Sequence, residues 1–296
     1  MSAMFSMRGI VLGIIALLAT VFLAGCWRSA QTHPARRAPT IVETLIGFVT
    51  NFFDALGIGS FPTSTSIFRL LRMVPEEQIP GTLNVGHAPA AIVEAMIFLA
   101  AVAVDPVLLI SMNMGTAIGA WLGAGVVIRL PRLRLQLVLG IGTLAAALLF
   151  VAVNLHLLPG GGDAFALSGL RFAAAVVSSV ILGALMAAGV GLFGPCMIIL
   201  ALLGMHPLAA FPIMMSAGAL QQMVSGLRYL RTDHYAFGTA VGLGVGGFFG
   251  ALIAALMVKS LPVVVLRWLV AAVAVYVAVD FLTAAMRSLK ARRLPA

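Results

Sequence analysis

Apolar windows of about twenty residues follow one another from Gly9 to Leu289, each long enough to cross a hydrocarbon core of roughly 30 Å as a helix. Few folds are open to such a chain, because in lipid every backbone polar group needs a partner within the protein. An outer-membrane barrel would alternate apolar and polar residues in segments of about ten, and that alternation is absent. Charge content agrees: 18 basic and 9 acidic residues make 27 charged positions in 296, far below the roughly one quarter of a soluble domain, and mean hydropathy is +1.13. The fold class read from this is an all-α polytopic membrane protein.

The net charge of +9 does not point to nucleic acid, because the basic residues fall in short clusters between apolar spans, where topology alone places them. Cys26 and Cys196 are far apart and form no pair motif, so neither a disulfide framework nor a metal site is expected, and the five histidines are scattered. "FLAGC" at Phe22 to Cys26 has the look of a lipoprotein cleavage site. The alternative is a leading membrane helix from Gly9 to Trp27, and the charge distribution favours it, since processing would leave Arg28, Arg36 and Arg37 outside.

A shift of 132 residues superposes two halves of the chain. Gly57 falls on Gly189, Gly59 on Gly191, Pro75 on Pro207, Pro80 on Pro212, Gly86 on Gly218 and Gly115 on Gly247, while Pro62 and Pro195 are offset by one. Each half reads as a broken segment followed by three spans. These are Ile41–Val74, then Thr82–Val104, Val107–Val127 and Leu135–Leu158 in the first half. In the second they are Phe172–Met205, then Met214–Ala236, Gly238–Val258 and Arg267–Leu289. An odd number of crossings per half makes the second half enter the membrane upside down.

The charges give a separate reading of topology. With the tail bearing Arg287, Lys290, Arg292 and Arg293 in the cytoplasm, Arg228, Arg231, Arg129, Arg132, Arg134, Arg69, Arg72, Arg28, Arg36 and Arg37 fall on the same side. That is 14 of 18 basic residues, leaving Arg8, Arg171, Lys259 and Arg267 outside. The expected organisation is a hydrophobic helix and cytoplasmic linker (1–40), repeat 1 (41–158), an external loop (159–171), repeat 2 (172–289) and a cytoplasmic tail (290–296).

The breaks "ALGIGSFPTSTS" and "AAGVGLFGPCMI" occupy matching places in the two halves. A helix is interrupted at membrane depth only where protein or a water-filled cavity satisfies the freed backbone, which makes paired breaks a pointer to a transporter's binding site. The twelve residues Thr63–Val74 rise only about 18 Å as a helix, so each broken segment is expected to be a re-entrant hairpin with its tip near mid-membrane. Two half-helices starting near Pro62 and Pro195 then aim positive N-termini at each other, a place for an anion. The substrate-binding residues this names are Gly57, Gly59, Ser60, Thr63, Ser64, Asn84, His87, Gly189, Gly191, Gly194, Cys196, Ser216 and Gln221. The hydroxyl-rich first tip and hydroxyl-poor second tip suggest an asymmetric ligand, with its charged group toward the first. The competing reading for these residues is tight helix packing by the glycines, capping by the hydroxyls, polar glue between helices by Asn84, His87, Ser216, Gln221 and Gln222, and an inert buried thiol at Cys196.

The stretches "GFVTNFFDALGIGSFPTSTS", "GTLNVGHAP" and "GALMAAGVGLFGPCMIILALLGMHPLAAFPIMMSAGALQQ" resemble the sulfite exporter TauE/SafE family of membrane permeases, over about Ile41 to Leu289 and without the leading helix. The resemblance implies a carrier in the cell (inner) membrane, driven by the proton-motive force and moving sulfite, a sulfonate such as sulfoacetate, or a related sulfur oxyanion. Its expected partners are therefore a small anionic sulfur-containing substrate, protons and the lipid bilayer, with no cofactor, no nucleic acid and no reading of oligomeric state.

Acidic groups inside a membrane are functional candidates by default. Asp54, three positions before Gly57, is a candidate proton-coupling group or a brace for the break, and its repeat partner is the neutral Met186. Glu94, at mid-depth of its span, is a second coupling candidate or a structural hydrogen-bonding group, and Asp280 reads as a packing or interfacial partner of Arg287. No GxxxxGK[ST] loop for ATP and no ordered nucleophile, base and orienter set is present, so no catalytic or metal-ligating residue is named. A passive anion channel and, more weakly, a membrane-embedded enzyme are the alternatives to a carrier.

Overall fold

The computed structural model describes residues 2–32, 38–56, 59–102, 104–157 and 161–257 and, further on, 275, 278–279, 281–287 and 289. Gly57, Arg36, Arg37, Leu158, Lys259, Arg267, Asp280 and the tail from 290 lie outside the described residues, as does most of the last expected span. The helices are α1 (Ser2–Thr32), α2 (Ile41–Asp54), α3 (Ser60–Leu70), α4 (Ile79–Ala101), α5 (Pro106–Val127), α6 (Arg132–Asn154), α7 (Gly169–Ala187), α8 (Phe193–Leu202), α9 (Pro207–Thr232) and α10 (Phe237–Met257). Among the described residues no strand forms, and β pairing is confined to one bridge between Ala164 and Met205. Six stretches among the described residues are long and apolar enough to cross a membrane: Gly9–Thr32, Glu76–Ala101, Pro106–Val127, Arg132–Asn154, Gly169–Ala187 and Phe237–Ala255. The chain is a multi-pass, all-α membrane protein.

Local chemistry sets the helix ends. Thr40 and Glu43 form a reciprocal capping box at the start of α2, with Thr40 N donating to Glu43 Oε2 at 2.8 Å. The helices α4 and α9 begin ahead of the expected Thr82 and Met214 because Pro80 and Pro207 lie in their first turns, where a missing N–H leaves nothing unpaired. Pro89 and Pro212 are carried inside these helices. The half-helix after the first break starts at Ser60 and the one after the second at Phe193, each two residues before the proline expected to mark its start. Pro62 and Pro195 both therefore take the third helical position, and the one-residue offset is absorbed by α3 having 11 residues against 10 in α8. The two half-helices end alike: Met73 N donates to Phe68 O, and 132 positions on Met205 N donates to Leu200 O, both at 3.0 Å, after Arg72 and Gly204 with φ of 51° and 86°.

Packing crosses between the halves. The helix α2 lies on α10 and α7 lies on α5; α10 and α5 pack in turn on α4 and α9, which pack on each other. Exchanging each helix for the one 132 residues away leaves these pairings unchanged. Both outer contacts use a glycine at every fourth position, Gly242, Gly246 and Gly250 on α10 and Gly115, Gly119 and Gly123 on α5. A methyl group on Gly246 would overlap the Thr44 carbonyl and one on Gly119 the Val180 carbonyl, so the backbones approach as closely as small residues allow. The leading helix α1 runs unbroken through Cys26 and rests mainly on α9.

Candidate substrate site

The two breaks meet. A small cavity is walled by Asp54, Gly59, Ser60, Phe61 and Pro62 from the first and by Gly191, Leu192, Phe193, Gly194 and Pro195 from the second. Thr143 of α6 and Met186 complete it. The space is about 20 Å³, the room one water molecule takes, so the tips close on each other. A positive φ of 88° at Gly59 and 106° at Gly189 turns the chain sharply at each break, a conformation side chains other than glycine rarely adopt.

Of the residues named from sequence, Asp54, Gly59, Ser60, Gly191 and Gly194 face this cavity together, while Gly57 lies outside the described residues. Asp54 is buried, and its carboxylate accepts from Ser60 twice: from N to Oδ1 at 2.9 Å and from Oγ to Oδ2 at 2.8 Å. The hydroxyls expected to be free are engaged within the protein. Thr63 Oγ1 donates to Ser60 O at 2.8 Å, and Ser64 Oγ lies 3.0 Å from His87 Nε2. The other ring nitrogen, Nδ1, is 3.0 Å from Asn51 Oδ1, and Asn51 Nδ2 donates to Gly47 O at 2.8 Å. Because the Asn51 oxygen can only accept, Nδ1 carries the proton, Nε2 accepts, and Ser64 is the donor. This buried chain ties α2, α4 and α3 together.

Asn84 does the same for the second break. Its Nδ2 donates to Pro80 O at 2.8 Å, Met186 O at 3.3 Å and Ala187 O at 3.2 Å, while its Oδ1 accepts from Ser225 Oγ at 2.7 Å. Tyr229 OH adds a bond to Ala187 O at 2.8 Å. The carbonyls freed where α7 stops are thereby satisfied by α4 and α9, as burial at membrane depth demands. Ser216 Oγ donates to Pro212 O at 2.7 Å and pairs with Asn113, whose Nδ2 donates to it at 2.9 Å. Gln221 reaches Gly183 O at 3.4 Å, and Cys196 is buried with its backbone N donating to Leu192 O. None of Thr63, Ser64, Asn84, His87, Gly189, Cys196, Ser216 or Gln221 borders the cavity. Glu94 is fully buried, and among the described residues neither of its carboxyl oxygens has a hydrogen-bond partner.

Three participants escape a reading of the sequence. Asn51, Tyr229 and Thr143 belong to no motif in the sequence, and only Asn51, three positions before Asp54, lies near a break. Thr143 is buried, borders the cavity, and makes no hydrogen bond among the described residues. Nor does any acceptor among them pair with the first-turn amides of Phe193 and Gly194. This wall of the cavity thus offers unpaired donors.

Two helices broken at matching places, meeting at a small, mostly apolar cavity that holds one buried carboxylate within a bundle of membrane-length helices, fit a membrane permease. The chain belongs to the family described as "Sulfite exporter TauE/SafE", whose family profile matches residues 3–150. That match begins within α1, so the leading helix, set outside the resemblance on sequence, is part of the matched region. No curated protein and no solved structure matches the chain. The family is one of transporters and not of enzymes.

Proposed function

We propose that this permease is a secondary carrier of the cell (inner) membrane for a small sulfur oxyanion, sulfite or an organosulfonate, coupled to protons through Asp54 and Glu94. The observation that carries the reading is the meeting of the two breaks at one cavity, with the unpaired amides of α8 and the Thr143 hydroxyl on one side and a buried carboxylate on the other. Helix N-termini favour anions, and an oxyanion exchanges its hydration shell for such donors where a neutral or cationic solute gains nothing. A space of one water, rather than a continuous pore, favours a carrier over a passive channel.

In this reading residues 41–158 and 172–289 are inverted repeats, each with a re-entrant hairpin built from α2 and α3 or from α7 and α8, and the exchange symmetry of the helix contacts supports it. At 1.5 Å per residue α3 and α8 rise about 16 Å and 15 Å, half a membrane. Residues 1–40 and 290–296 carry the cytoplasmic linker and tail, and 159–171 form the external loop. The remaining residues named from sequence support the site from behind, through the bonds that Ser64, His87, Asn84 and Ser216 make to the broken segments and their neighbours.

Uptake of sulfite, sulfoacetate, taurine and sulfate into proteoliposomes, with and without an inward proton gradient, tests this. Gradient-driven accumulation of at least one sulfur oxyanion, accelerated by the same anion on the trans side, is expected. Transport of none of the four, or flux without trans-acceleration, contradicts the reading.

A further inference from the structure

The two helix ends that face the cavity are not in the same condition. The N-terminus of α3 already holds an anion, the Asp54 carboxylate, bound by the Ser60 amide and hydroxyl at 2.9 and 2.8 Å and only 1 % exposed. The opposite wall holds none: the Phe193 and Gly194 amides have no acceptor among the described residues, and Thr143, 4 % exposed, has a hydroxyl without a hydrogen bond facing the same space. The repeat counterpart of Asp54 is Met186, so the asymmetry is written in the sequence.

Charge makes this consequential. A substrate anion and an ionised Asp54 would stand side by side in a buried cavity at membrane depth, where like charges do not both persist. No lysine or arginine borders the cavity among the described residues. The titratable groups around Asp54 are Glu94 on α4, His87 on α4, bonded to Ser64 and Asn51, and Cys196 on α8. On its own helix, Glu43 is at the far end, bonded to Thr40 and Thr239. The walls from α6 and α7, Thr143 and Met186, carry no titratable group. A proton is then what removes the competing charge.

We propose that Asp54 is a tethered competitor for the substrate anion, holding the N-terminus of α3 when ionised and yielding it when protonated, so that each anion binds with one proton. The proposal rests on the reading of the cavity as an oxyanion site. In the ionised state the carboxylate fills the donor set of Ser60 and repels the substrate. On protonation at a carboxyl oxygen the repulsion ends, and the incoming oxyanion spans Ser60, Thr143 and the α8 amides. Coupling is therefore local to the site: an anion without a proton has no place to bind.

The test is calorimetric binding of methanesulfonate and of sulfite to the purified full chain from about pH 5 to about pH 8, in two buffers of different ionisation enthalpy. Methanesulfonate stays ionised throughout, so its pH dependence belongs to the protein. Its affinity is expected to fall about tenfold per pH unit above the midpoint, with one proton taken up per anion. Asp54→Asn is expected to bind at the highest pH as tightly as the wild type at the lowest, with a flat profile and no proton uptake. Ser60→Ala, which removes one donor from the carboxylate, keeps the slope and moves the midpoint to higher pH. Anion binding without proton uptake in the wild type, or a pH dependence that persists in Asp54→Asn, overturns the proposal while leaving the oxyanion site standing. Failure of the wild type to bind either anion at any pH overturns both.

Discussion

Gly191 lies against Pro62: a β-carbon on Gly191 would stand 3.5 Å from Pro62 Cδ and 4.0 Å from Phe61 Cβ. These residues come from the two breaks, 129 positions apart in the chain, and their contact closes the cavity. The distances are those of ordinary van der Waals contact, so a methyl group fits. Gly191→Ala is accordingly expected to retain folding and transport, whereas Gly191→Leu drives the tips apart or fills the cavity and abolishes transport at normal protein levels. Transport assays alongside size-exclusion profiles of both variants check this.

Glu76 holds three partners at the turn between α3 and α4: Arg69 Nη1, Arg132 Nε and Gln136 Nε2, each at 2.7 Å. Arg69 has an 11 % exposed side chain, and its guanidinium also lies 4.0 Å from the centre of the Phe281 ring, whereas the Arg132 side chain is 61 % exposed. Glu76→Ala is expected to destabilise by about 2 kcal/mol, because it removes the one carboxylate that accepts from Arg69, Arg132 and Gln136 together. Arg132→Ala, with solvent screening its pair, should cost no more than about 1 kcal/mol. Thermal unfolding in detergent ranks the two.

Close packing at the glycine ladder gives a second stability contrast. On Gly246 a methyl group meets the Thr44 carbonyl, while on Gly13 of α1 nothing lies within 4 Å. Gly246→Ala should therefore lose about 1–3 kcal/mol through overpacking, and Gly13→Ala should be neutral or slightly stabilising. Comparison of melting temperatures and membrane yield distinguishes them.

What the sequence reveals and what it hides divide along physical lines. The break at "GIGSFPTSTS" is legible because glycine, proline and hydroxyls interrupt an apolar run, a local signal, and the repeat places its partner at "GVGLFGPC". The use of those hydroxyls is not legible. Whether Ser64 faces a ligand or His87, and whether Ser60 is free or bound to Asp54, depends on contacts between helices that one-dimensional pattern does not carry. Thr143 looks like any threonine in an apolar span until α6 is seen beside the two tips. The helix starts at Ile79 and Pro207 are hard to place from sequence because proline reads equally as a turn and as a first-turn residue.

Topology follows from the clustering of basic residues. Reporters fused after Arg134, just inside α6, and at Gly161, beyond its far end, are expected to report cytoplasm and exterior respectively. The reverse pattern contradicts the proposed orientation.

If the two broken tips form one closed site, as proposed, they must part for substrate to pass. Positions 61 and 191 are placed for a direct test, since a β-carbon separation of 4.0 Å suits a disulfide. In a background carrying Cys26→Ser and Cys196→Ala, the double substitution Phe61→Cys and Gly191→Cys is oxidised in proteoliposomes, and uptake of the transported anion is followed before and after reduction. A disulfide that forms, stops transport, and releases it on reduction is the predicted result. A disulfide that forms fully while transport continues as fast as in the reduced protein, or thiols that never cross-link, would contradict closure at these tips.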